Sequence, residues 1–127
     1  MKRKLLISAG LGIVILISSF SLFAHHGTAA YDTSKQVTVK GTMTEFRFIN
    51  PHVQLFFDVK NDKGEVEKWQ AELTAPNKLS RAGWDKETLK PGDVITATGF
   101  ITKDTGHTMW IDKLVGPTGE NLRLHED

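Results

Sequence analysis

Between residues 36 and 115 the apolar residues of this chain fall at every second position, in short runs separated by Gly, Pro, Asn and Asp. A period of two sends successive side chains to opposite faces of an extended backbone. The segment therefore reads as a series of short β-strands, each turning one face to a core. In a first strand over residues 36–49, Val37, Val39, Gly41 and Met43 share a face before the apolar set moves to Phe46 and Phe48. That change of phase calls for a bulge or bend near Thr44. In a second strand, 52–60, Val53, Leu55, Phe57 and Val59 face inward, and His52, Gln54, Phe56 and Asp58 face outward. Asn61, Asp62, Lys63 and Gly64 form a hairpin turn into a third strand, 65–73, with Trp69, Ala71 and Leu73 inside.

The alternation then stops. Thr74, Ala75, Pro76 and Asn77 open a short helix that runs to about Ala82 and is ended by Gly83. A turn over residues 89–93 launches a fourth strand, 94–102; a fifth covers 108–115, and residues 121–124 add a short closing strand. Three strands, a helix, then two or three strands, with a first strand long enough to pair at both ends, is the order of a small OB-like five-stranded barrel. The class is all-β with one short helix, and a small β-sandwich is the alternative. The expected core is Val37, Val39, Leu55, Phe57, Trp69, Ala71, Leu73, Ile95, Ala97, Ile101 and Ile111, with Met43 and Met109 also at inward positions.

Ahead of the strands the pattern differs. Lys2, Arg3 and Lys4 precede an apolar run from Leu5 to Phe23, and Ala24 is the small residue a signal peptidase needs before its cut. The organisation is thus a signal peptide over 1–24, an N-terminal extended segment over 25–35 and the barrel domain over 36–127. The location is periplasmic or otherwise exported. An uncleaved leader, whose apolar run approaches the roughly 20 residues that span a bilayer, would instead anchor the protein in the membrane.

Charge narrows the partners. The chain has 16 Lys plus Arg against 15 Asp plus Glu, and removing the three basic residues of the leader leaves 13 against 15. A weakly acidic chain with no basic stripe lacks the means to neutralise phosphates, so nucleic acid is not an expected partner. There is no cysteine. Any transition metal must therefore be held by nitrogen and oxygen.

Several segments occur together: Ala24-His25-His26, Tyr31-Asp32, the run from Val37 to His52 that ends in Asn50-Pro51-His52, Trp69 with Glu72, Arg81-Ala82-Gly83-Trp84, and Leu89-Lys90-Pro91-Gly92-Asp93. In this order they resemble a family of small exported bacterial proteins catalogued as a domain of unknown function. The resemblance covers most of the chain beyond the leader and implies export and a shared fold, with no activity. Gly27 departs from it, since Ser is the expected residue after the paired histidines.

The chemistry rests on the histidines. A chain that begins at His25 offers its terminal amine and the imidazole Nδ1, which together close a chelate ring on a square-planar metal, and a further imidazole completes a three-nitrogen set. Cu(II) prefers that geometry and those donors. His26 is adjacent to His25 and can take its place. His52, beside Asn50 and Pro51, is an outward imidazole at a fixed corner, able to be the partner ligand or to hydrogen-bond the backbone of that corner. His107 sits in a turn and becomes a fourth ligand if that loop folds toward the terminus. Glu72 faces outward and can supply an axial oxygen or a hydrogen bond to a ligating imidazole. His125 lies in the tail. Trp110 and Phe56, both outward, can form a stacking platform.

No constellation for hydrolysis is present: Ser80 has no histidine in context and no glycine-rich phosphate loop occurs. The leading expectation is an exported metal-binding module that handles copper, with an envelope protein as a possible partner. The alternatives are an OB-type binding module for a peptide, glycan or protein, and a copper redox enzyme.

Overall fold

The computed structural model describes residues 28–104 and 106–126, so the expected leader, His25 and His26 lie outside the described residues. After a 3-10 turn at Thr28–Ala30, a folded unit begins at Tyr31. Its elements are β1 (Tyr31–Arg47), β2 (Gln54–Lys60), β3 (Val66–Glu72), α1 (Pro76–Arg81), β4 (Val94–Thr102), β5 (Thr108–Val115) and β6 (Asn121–Leu122).

The protein is mostly β with one short helix. The strands follow the order β3-β2-β1-β4-β5-β6, and a parallel pairing of β3 with β5 closes the first five into a ring. This ring, with the helix between β3 and β4, fits the OB-like expectation in class and element order. β1 serves two partners because it is long: it pairs with β4 up to the Thr42–Val94 position and with β2 from the Thr42–Asp58 position onward. The expected phase change is a register shift between Met43 and Glu45. It lets Met43 enter the core at 1% exposure while Phe46 still packs against that core from the other side of the shift.

Glycine permits two close approaches. A Cβ on Gly41 would lie 2.6 Å from Phe57 Cδ2 and 2.7 Å from the Asp58 carbonyl oxygen, where β1 passes from one partner to the other. A Cβ on Gly99 would lie 1.9 Å from the Trp110 carbonyl oxygen, beside a register shift between β4 and β5.

The inward faces meet in one core. Leu55, Phe57, Trp69, Ala71, Leu73, Ile95, Ala97, Met109 and Ile111 are buried as their alternation requires; Val37, Val39 and Ile101 are partly buried and pack against them. Leu79, the buried residue of α1, joins this core. Pro76 begins the helix, where a missing N–H costs no helical bond, and Gly83 leaves it at φ +95°. Trp84 packs behind it and donates its indole N–H to the Arg123 carbonyl at 2.7 Å, tying the C-terminal segment to the ring.

Several boundaries differ from the alternation reading; β1 ends at Arg47 rather than residue 49, and β3 covers Val66–Glu72 rather than 65–73. β1 starts at Tyr31 rather than at residue 36 because the segment around Asp32, which looks like a turn, pairs through an irregular register between Tyr31 and Gln36. Asp32 makes a local turn within the strand, its Oδ1 accepting from the Ser34 N–H at 3.0 Å and the Ser34 hydroxyl at 2.6 Å. β2 starts at Gln54, since His52 still belongs to the corner that follows the cis Asn50–Pro51 peptide. β6 ends at Leu122 rather than at residue 124. Among the described residues no helix is long and apolar enough to cross a membrane.

Candidate functional site

On the outside of the ring the registers align one residue from each neighbouring strand. Gln54 pairs with Glu72, Glu72 with Trp110, and Trp110 with Phe100. His52 precedes this row at the corner. Val53 pins it there: the Val53 N–H donates to the Thr74 carbonyl at 3.2 Å, and the Val53 carbonyl accepts from the Leu73 N–H at 2.9 Å. His52 thus becomes a diagonal outer-face neighbour of Glu72, a separation that long side chains bridge.

The side chains do meet. His52 Nδ1 lies 3.3 Å from Glu72 Oε2. The His52 ring stands edge-on to Trp110 with centroids 5.2 Å apart, and Trp110 in turn meets Tyr31 edge-on at 6.4 Å. A carboxylate beside Nδ1 favours the tautomer that carries its proton on Nδ1 and leaves the lone pair on Nε2. Both side chains remain open to solvent, His52 at 44% and Glu72 at 23% exposure. The cluster is therefore an imidazole with a carboxylate beside it and the Trp110 ring against it, Trp110 in turn meeting Tyr31.

Tyr31 registers this environment. Burial pushes its phenol above the ordinary value, and the nearby Glu72 charge pushes it further the same way. Because the fold favours the neutral phenol, the stability drawn from Tyr31 is complete below pH about 10 and is lost as pH rises beyond it. Tyr31 is the single tyrosine of the chain, so phenolate absorbance reads it alone. We expect its titration midpoint to lie above 10 and to fall in Glu72→Gln, with burial retaining part of the shift. An unchanged midpoint in that variant would separate Tyr31 from Glu72.

The other candidate residues are placed elsewhere. His107 Nε2 lies 3.4 Å from Glu67 Oε2, and the His107 ring lies against Trp69 at 5.1 Å. Glu67 also accepts from Asn61 Nδ2 at 3.2 Å and from Trp69 Nε1 at 3.3 Å. Glu67 and Glu72 stand at opposite ends of β3, roughly 16 Å apart along a strand, and alternation puts them on opposite faces. The structure therefore does not bring His107 to His52. Its carbonyl instead accepts from the Gln70 N–H at 3.0 Å, at the start of the β3–β5 closure. His125 belongs to an exposed tail held on α1, where Glu126 Oε2 lies 3.7 Å from Arg81 Nη1. Met43 and Met109 are core. Phe56 faces outward as expected, but the Arg47 guanidinium covers its ring at 4.6 Å.

Among the described residues no three His, Asp or Glu side chains gather as a metal site. Two residues important here escape a reading by alternation. Tyr31 sits in a stretch with turn composition, and Glu67 is an inward-parity carboxylate that meets its near neighbours Asn61 and Trp69 and the distant His107.

A comparison with curated proteins found no match. Among 33 solved chains that match, one is the crystal structure of the ZRD-deleted mutant of TiaS in complex with agmatine. It is similar at 18% identity with a TM-score of 0.42, over 63% of this chain and 20% of that one. Residues 14–110 match the sequence profile of a family of unknown function. That match spans most of the protein, and the chain belongs to this family, DUF6152.

Proposed function

We propose that this protein is an exported metal-binding module that handles copper, with His52 as the ligand from the folded unit and His25, through its terminal amine and imidazole, as the chelating end. The observation that carries the reading is the 3.3 Å approach of Glu72 to His52 Nδ1. Metal-binding imidazoles characteristically give their second nitrogen to a carboxylate, which fixes the ring and raises its basicity. His26 is the alternate imidazole at the terminus.

Removal of the leader after Ala24 is part of the reading, since only a free amine at His25 closes the chelate ring. Intact-mass analysis of envelope-extracted protein should show a chain starting at His25. Titration of that chain with Cu(II), followed by electron paramagnetic resonance, should give one nitrogen-dominated site. The same chain with one residue added before His25 should lose the spectrum while keeping its fold. Identical spectra and stoichiometry for the two would rule out the terminal chelate and leave a plain binding module.

A further inference from the structure

Away from the His52 end of β2, the bend in β1 opens a second feature. The β1–β2 ladder stops at the Thr42–Asp58 pair, whereas β1 continues along β4 back to Gln36. Residues 36–41 consequently pair with β4 on one side and, among the described residues, with no strand on the other, although β2 still abuts Gly41. Between this free side and the end of the β2–β3 hairpin lies a groove of about 630 Å³, lined by Lys40, Gly41, Thr42, Asp58, Lys60, Val66 and Val94.

Its surface is unusual for this protein in two respects. Ile49, Val66 and Val94 are the exposed large hydrophobic residues among those described, at 48%, 55% and 43%, and two of the three line this groove. Its charge is also one-sided. Asp58 is engaged by Lys68 at 2.9 Å, while among the described residues no carboxylate pairs with Lys40 or Lys60.

An exposed strand side is a template for another strand, and peptide recognition by strand addition draws affinity from main-chain bonds and specificity from pockets for alternate side chains. We propose that this groove takes an extended acidic peptide segment as an added strand on the free side of β1. Val66 and Val94 receive its apolar side chains, and Lys40 and Lys60 receive its carboxylates. The inference stands independently of the copper reading, because it uses the opposite end of β2 and none of the histidines.

The test uses the full chain, ¹⁵N-labelled, with two acetylated octapeptides, one alternating valine with glutamate and the other valine with lysine. The acidic peptide should shift the amide resonances of residues 36–41 and slow their hydrogen exchange. The basic peptide should leave them unmoved. Lys40→Glu combined with Lys60→Glu, both on the surface, should weaken the acidic peptide about tenfold or more. An equal response to both peptides, shifts confined to another surface, no response, or an unaltered affinity in the double variant would each overturn the proposal.

Discussion

Gly99→Ala should destabilise the protein by about 3 kcal/mol or more, the upper end of what overpacking costs. The methyl group would arrive 1.9 Å from the Trp110 carbonyl oxygen and 3.0 Å from the Ile111 Cα. Both obstacles are backbone, so no rotamer change relieves them, and β4 must separate from β5 at the register shift that joins them. A loss of that size lowers the melting temperature of a domain of this length by roughly 12 °C or more. Gly41→Ala should be milder, because its nearest obstacle is the Phe57 side chain, although the Asp58 carbonyl oxygen follows at 2.7 Å. Gly64→Ala meets no atom within 4 Å and is limited to the cost of its φ of +79°, about 1 kcal/mol. Thermal melts of the three variants should rank in that order, and a Gly99→Ala melt within a few degrees of the parent would contradict the strand contact. Since Trp110 carries the ring against which His52 packs, the same variant should also disturb the candidate site.

The second large effect concerns copper. His52→Ala should reduce Cu(II) affinity by roughly a hundredfold or more, since it removes a proposed ligand, and Glu72→Gln should reduce it by about 10 to 100-fold by removing the group proposed to orient the imidazole. His107→Ala should leave affinity unchanged, because that ring belongs to Glu67 and Trp69 at the other end of β3. Zn(II) should bind more weakly than Cu(II), as it prefers a tetrahedral set and stands lower in the affinity order. Acidification should release the metal, because each imidazole and the amine must be free of its proton to ligate. Competition titrations against a chelator of known affinity read all of these effects. Equal losses for His52→Ala and His107→Ala would point to nonspecific surface binding and sink the site.

Much of the architecture was legible in the residues themselves. Where a strand has one wet and one dry face, its period of two is imposed by burial, so residues 53–59 and 94–102 announce both their conformation and their inward members, whereas in β5 the alternation holds only as far as Ile111 and Leu114 is buried at the opposite parity. Pro76 and Gly83 likewise bracket the helix through backbone constraints that act locally. Tyr31 shows where such reading stops. Asp32 and Ser34 satisfy one another by hydrogen bonds that resemble a turn, and only pairing with β4 makes that stretch a strand.

The candidate site divides the same way. Sequence alone identifies His52 and Glu72 as outward-facing, because parity within a strand is a local property. Their meeting at 3.3 Å requires the Val53 hydrogen bonds that pin the corner to the end of β3, and the Trp110 wall requires the parallel β3–β5 closure. His107 went to Glu67 for the same reason: a turn histidine has no periodicity to constrain it, so its position follows from whichever strands its loop happens to join. Alternation fixes faces one strand at a time, whereas closure of the ring chooses which faces become neighbours, and that choice depends on contacts between residues far apart in the chain.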